Sequence, residues 1–307
     1  MGADPAYRRA VDRGRGLEQR GEVVRRLLAV HAHPDDESSK GAATLARYAA
    51  DGAEVTVVSC TGGESGSVLN DKFALGHRAA RDMTGLRRVE MAQAQAALGI
   101  EHVWLGYVDS GLPDEGEPLR ALSFATIPVE VSGRPLVRLI RRLRPQVVVT
   151  YDETGGYPHP DHIRNHEVTM WAVEHAAAGL PELGEPWEVQ KLYFDRTMSG
   201  ARLRALLGAL EAVAPDDERL PFVREWVERM GDRGETMTTR VDVAAYLEAR
   251  DIALRAHASQ VDPESRFFFW PNELLRETWP TEDYELVRSR VPSTGPEDDL
   301  FAGVEED

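Results

Sequence analysis

Four apolar runs of strand length, each followed by a stretch with helical spacing, fill the first half of the chain, and they leave few folds open. The runs are RLLAVHA (26–32), EVTVVSC (54–60), HVWLG (102–106) and QVVVTY (146–151). Between the first two, Ala42, Leu45, Ala46 and Ala49 recur at i, i+3, i+4 and i+7, one face of a helix. Residues 84–98 read as a second helix that stops at Gly99, and Leu136, Leu139, Ile140 and Leu143 mark a third. EVTMWAVEHAAA (167–178) is a fourth. Strand alternating with helix requires right-handed crossovers and a parallel sheet covered on both faces. The expectation is an α/β protein with a Rossmann-like, mostly parallel sheet and a less regular C-terminal part. Beyond about residue 180 the pattern weakens; TTRVDV reads as a strand and 243–260 as a helix. Residues 1–24, polar and rich in Gly and Arg, are expected to be a flexible extension, 25–290 a single catalytic domain, and 291–307 an acidic, solvated tail.

Charge narrows the partners. The 307 residues carry 36 basic and 52 acidic side chains, a net charge of −16. Such a surface repels phosphate backbones and anionic lipid, so neither nucleic acid nor membrane is an expected partner. No apolar run approaches the roughly 20 residues of a membrane span, and no hydrophobic stretch follows the N-terminal charges, so no signal peptide is read. Cys60 is the single cysteine, which excludes an intramolecular disulfide and suits a reducing cytoplasm. It is expected to be a packed thiol.

Open parallel sheets bind ligands outside the carboxyl ends of their strands. Two segments expected on that rim are dense in ligand atoms, VHAHPDDESSKGAAT (30–44) and TYDETGGYPHPDHIRNH (150–166), and both contain His-Pro-Asp. The first offers His33 and Asp36, with Pro34 restricting the backbone between them. The second offers His159, Asp161 and His162. A catalytic zinc takes three protein ligands and keeps one place open for water. His33, Asp36 and His162 would supply two nitrogens and one oxygen, leaving Asp35 and His159 beside the metal as acid and base. Taken singly, these residues have plainer uses: Asp35, Asp36 and Glu37 can favour the positive end of a helix, and Glu37 is expected to do only that. His31, on the strand itself, is expected to be buried support. His166 follows His162 by four positions, but Ile163 stands where a His-Glu-x-x-His peptidase needs Glu. CTGGESGS (60–67) lacks the glycine order and lysine of nucleotide loops, so its glycines are expected to admit a substrate. FFFW (267–270) is expected to be core, and Arg87 and Arg88 solvated helix residues.

VHAHPDDE, CTGGESG, LGYVDSG and GGYPHPDH together resemble the LmbE/PIG-L family of zinc-dependent amide hydrolases, over about 25–303. The resemblance implies zinc, one per chain, on His33, Asp36 and His162, with Fe2+ as an alternative in the cell. It implies Asp35 as general base, Tyr157 and His159 as the groups that stabilise the tetrahedral intermediate and protonate the leaving amine, and Asp161 as the acid that orients His159. Arg87 and Asp109 match positions that hold sugar and inositol hydroxyls, and Lys40 matches a lysine of the members that cleave S-conjugates. Ser67 departs from the pattern by standing where relatives carry an acid near the substrate. The implied activity is cleavage of the amide between an S-conjugated N-acylcysteine and glucosaminyl-inositol, a small thiol-glycoside. Alternatives are deacetylation of N-acetylglucosaminyl-inositol or of another amino sugar, and a catalytically silent metal-binding protein. Monomer and homo-oligomer are both compatible with the sequence.

Overall fold

A computed structural model describes residues 24–114, 116–231 and 236–304. Residues 1–23, nearly all of the expected flexible extension, lie outside the described residues. The four anticipated strands form as β1 (Arg26–His31), β2 (Glu54–Thr61), β3 (Glu101–Tyr107) and β4 (Val147–Thr150). Three more follow, β5 (Lys191–Asp195), β6 (Thr239–Asp242) and β7 (Thr281–Ser289). The sheet order is β3-β2-β1-β4-β5-β7-β6. The first five strands in that order are parallel, and β7 pairs antiparallel with both β5 and β6.

Successive residues of β1 point to opposite faces of the sheet, and both faces are buried. Helix α1 (Asp36–Ser39) follows β1, and Leu27 and Ala29 join a core with helices α2 (Ala42–Ala50) and α3 (Met83–Leu98) on their side. Leu28 and Val30 pack on the other side against α4 (Arg134–Leu143) and α5 (Pro160–Ala177). The helix ends follow local chemistry. Asp82 accepts the N–H of Gly85 at 2.7 Å and starts α3, and Gly99, at φ 70°, ends it. At the carboxyl end of α5, buried Arg141 donates to the carbonyls of His175, Ala176, Gly179, Leu180 and Gly184 at 2.6–3.1 Å, placing a cation where the helix dipole is negative.

The C-terminal part adds α6 (Gly200–Val213), α7 (Leu220–Met230), α8 (Leu247–Ala256) and α9 (Asn272–Thr278) over the first face. Trp270 of the FFFW cluster is buried there. The expected solvated tail is corrected in part. Leu300 and Phe301 are buried, Tyr48 of α2 donates to Asp299 at 2.7 Å, and Glu297 pairs with Lys191 at 2.7 Å. Glu297 and Asp299 meet buried donors and are not left to water. Among the described residues, no helix is long and apolar enough to cross a membrane.

Candidate metal centre

Strands β1 and β4 are neighbours, so the chain leaving each one turns over the same edge of the sheet. From β1 come His33, Asp35 and Asp36. From β4 come Tyr151, the loop to His159, and α5, which starts at Pro160 and carries Asp161 and His162. Ligand atoms of His33, Asp36 and His162 lie within 4.8 Å of one another, and all three side chains are buried. His33, Asp109 and His159 form a second such group around the shared His33.

His162 is oriented as a ligand. Its Nδ1 lies 2.9 Å from the carbonyl oxygen of Gly155, which can only accept, so Nδ1 carries the hydrogen. Nε2 points the other way; it is buried without a hydrogen-bond partner and lies 3.3 Å from Asp36 Oδ2. A histidine whose second nitrogen donates to a backbone carbonyl is the usual arrangement of a metal ligand. Tyr151 stacks on this ring at 4.6 Å. Gly155 has φ 68°, and a Cβ there would lie 2.5 Å from His162 Cβ, so the turn needs glycine twice over.

The electrostatics call for a cation. Asp36 Oδ2 accepts the His33 N–H at 2.9 Å, and its Oδ1 accepts Lys40 Nζ at 2.6 Å. His33 Nε2 lies 3.3 Å from Asp161 and 3.8 Å from Asp109. Burial works against a charge on His33, but the carboxylates of Asp161, Asp36 and Asp109 prevail and push its pKa up to about 10. Burial likewise opposes ionisation of Asp36, yet His162 and Lys40 hold it well below the usual carboxylate range. An orphaned imidazole nitrogen beside an ionised carboxylate and a second imidazole suits a divalent ion of the zinc or iron type.

Asp35 is the irregular residue. Its φ of 109° and ψ of −25° lie in left-handed space, which costs a non-glycine residue roughly 1–3 kcal/mol. Burial raises its pKa while Arg87, donating to Oδ2 at 2.6 Å, pulls the other way. Arg87 also donates to the carbonyls of Gly63, at 3.0 Å, and Pro34. A Cβ on Gly63 would lie 1.9 Å from Arg87 Nη1. Arg87 is therefore buried, which corrects its reading as a solvated helix residue, whereas Arg88 is exposed. Glu37, expected only to favour a helix end, is fully buried and pairs with His257 at 2.8 Å.

His159 caps α5, its Nδ1 accepting the Asp161 N–H at 3.1 Å. Burial, then His33, lower its pKa to about 4, so the ring is neutral and Nε2 carries its hydrogen. The Asp161 carboxylate does not orient His159 as expected: it accepts from the Ser110 N–H at 2.9 Å and the Ser110 hydroxyl, and faces His33. What holds His159 is the backbone of Asp161, because a side chain at the start of a helix reaches its own first-turn amides. Tyr157 is 43% exposed, with its ring 4.4 Å from His162 and 5.9 Å from His159. Asp109 is buried beside His33, and Lys40 is engaged with Asp36. Ser67 is exposed on the rim, its carbonyl accepting Gln260 Nε2 at 3.1 Å. His31 is buried and bonded to the Tyr151 hydroxyl at 3.1 Å, and Cys60 is buried. Sequence reasoning missed Ser110, Tyr151, Gly155 and His257. Their signal was faint: Ser110 sits within DSG and Gly155 within a Gly-Gly pair, but nothing local marks His257.

Residues 28–173 match the PIG-L family model, described as GlcNAc-PI de-N-acetylase. A mycothiol S-conjugate amidase of Streptomyces coelicolor is 48% identical over 286 residues, covering 91% of this chain and 97% of the relative. A 1D-myo-inositol 2-acetamido-2-deoxy-alpha-D-glucopyranoside deacetylase of Streptomyces avermitilis is 43% identical, covering 91% and 97%. In fold, the chain is similar to the N,N'-diacetylchitobiose deacetylase of Pyrococcus horikoshii, with TM-score 0.57 and 18% identity, covering 94% of this chain and 93% of that one. A conserved protein of Thermus thermophilus gives TM-score 0.54 at 24% identity, covering 87% and 96%. The shared sheet, the His/Asp rim and the near-full-length relatives lead to one assignment: the chain belongs to the PIG-L/LmbE family of amide hydrolases.

Proposed function

We propose that this protein is a zinc-dependent amidase that cleaves the amide joining an S-conjugated N-acylcysteine to glucosaminyl-inositol, as in mycothiol S-conjugates. The convergence of His33, Asp36 and His162 carries the reading, together with the 48% identical relative named for that activity. These three residues would hold zinc. A bound zinc supplies Lewis-acid polarisation of a carbonyl and makes a coordinated water more acidic. Asp35, with Arg87 fixing one oxygen, accepts the proton of the attacking water. The His159 Nε2–H and the Tyr157 hydroxyl donate toward the oxygen on which charge develops. The proton taken up by Asp35 is available to the departing amine. Asp161 and Ser110 keep His33 in place. Arg87, Asp109, Lys40 and Ser67 would contact the substrate's polar groups. The substrate is a small molecule, and an acidic cytoplasmic protein fits it.

Deacetylation of N-acetylglucosaminyl-inositol is the second reading, favoured by relatives at 40–43% identity named for that reaction. Zinc-loaded enzyme incubated with mycothiol-bimane and, separately, with the acetamido sugar distinguishes the two. Release of the bimane mercapturate at the higher kcat/KM is expected. Turnover of the acetamido sugar alone selects the second reading, and no turnover of either substrate refutes both.

A further inference from the structure

The backbone of Asp35 does not hold itself at φ 109°. Its N–H donates to Glu37 Oε2 at 2.8 Å. The other oxygen of Glu37 accepts Ser38 Oγ at 2.5 Å and His257 Nε2 at 2.8 Å. Both side chains of the Glu37–His257 pair are fully buried, although 220 positions separate them. The local motif resembles a capping box, in which a side chain reaches back to the cap N–H. Here the donor is the strained residue itself. His257 is anchored in turn: it ends α8, and the three residues after it grip the site's other flank. Ala258 accepts Asn70 Nδ2 at 2.8 Å, Ser259 donates N–H and hydroxyl to Glu90 at 2.7 and 2.8 Å, and Gln260 bonds to Ser67.

Packing alone does not account for this pair. A buried ion pair is often no better for stability than an apolar pair of the same volume, and in some proteins it serves to fix a geometry. We propose that Glu37 and His257 are positioning residues that hold Asp35 in its left-handed conformation, so that its carboxylate faces the reacting water; the proposal rests on Asp35 being the general base. His257 fixes the Glu37 carboxylate, Glu37 fixes the Asp35 peptide, and the chain following His257 ties that peptide to the loop carrying Ser67. Without the pair, Asp35 relaxes toward ordinary backbone space and its carboxylate swings away, while His33, Asp36 and His162 keep their own supports.

The test uses the zinc-reconstituted full-length protein and whichever of the two substrates the wild type turns over. His257→Ala, His257→Gln, Glu37→Ala and Glu37→Gln are prepared alone and in an Asp35→Asn background. Zinc content and melting temperature are recorded beside kcat and KM. His257→Ala and Glu37→Ala are expected to lower kcat about tenfold or more, the size of a released backbone strain, with KM within about twofold and zinc fully retained. Glu37→Gln, which still offers an oxygen to the Asp35 N–H, recovers most of that rate. In the Asp35→Asn background the same changes cost less than about twofold, because the group they position no longer acts. An undiminished loss in that background, a kcat that merely follows zinc content, or wild-type rates in both alanine variants overturns the proposal. An Asp35→Asn enzyme that itself works at the wild-type rate removes the base, and the proposal with it, and is recognised from that single variant.

Discussion

Replacing Asp35 by glycine and by alanine separates its backbone from its side chain. Both changes delete the carboxylate and leave Arg87 without its 2.6 Å partner, so those costs cancel between the two variants. What remains is φ 109°. Left-handed space costs an L-residue roughly 1–2 kcal/mol and glycine nothing. Glycine gives back roughly 0.5–1 kcal/mol through the greater freedom of its unfolded chain. The glycine variant should therefore be the more stable by about 1 kcal/mol, or about 1.5–2 °C in melting temperature for a chain of this size. The assay is calorimetry of both proteins loaded with equal zinc at one pH. Turnover in both should fall at least a hundredfold, the lower range of general acid–base help. An alanine variant that melts at or above the glycine variant refutes the strained backbone, and near-wild-type turnover in either refutes the base.

His162→Ala removes one of the three proposed ligands and should lose its zinc on dialysis; elemental analysis that finds a full equivalent refutes the ligand set. Glu297→Gln leaves Lys191, which is fully buried, without a counter-charge, and should cost about 3–5 kcal/mol, read as a fall of roughly 5–8 °C in melting temperature. Burial opposes the charge on Glu297, but hydrogen bonds from Lys191, Tyr193 and Ser293 outweigh it and hold the pKa below its ordinary value of 4.5. Its contribution is thus present above about pH 4.5 and lost as the pH falls below, so the gap between wild type and Glu297→Gln should close in acid; a gap constant from pH 7 to pH 3 rejects the ion pair. Arg141→Lys cannot reproduce a planar fork that serves six carbonyls, and should lower urea midpoints nearly as far as Arg141→Met.

The parallel half of the fold was legible because its strands carry uninterrupted apolar runs; a strand buried on both faces must. The later strands were obscured by buried charge. β5 opens on Lys191, and β7 buries Glu282 and Asp283. Glu282 accepts the N–H groups of Ala43 and Thr44 at the start of α2, a partnership between residues more than 200 positions apart that no local pattern announces. The candidate ligand cluster of His33, Asp36 and His162 was readable because two His-Pro-Asp segments fell on the same strand-end rim. The orientation of Asp161 was not, because it depends on Ser110, delivered by a third loop. Glu37 looked like a helix-end acid because its partner, His257, lies 220 positions downstream.

The short stretch 297–301 links parts of the molecule that are made at very different times. Tyr48, near the start of the described chain, is bonded to Asp299 and to the Leu300 N–H, and Lys191 and Tyr193 wait for Glu297. As the polypeptide is synthesised, the β1–β4 portion can assemble early, but the hydroxyl of Tyr48 and the ammonium of Lys191 gain these partners only after residues 297–300 have emerged. Closure of the second half is then a late event, with high contact order and a slow search.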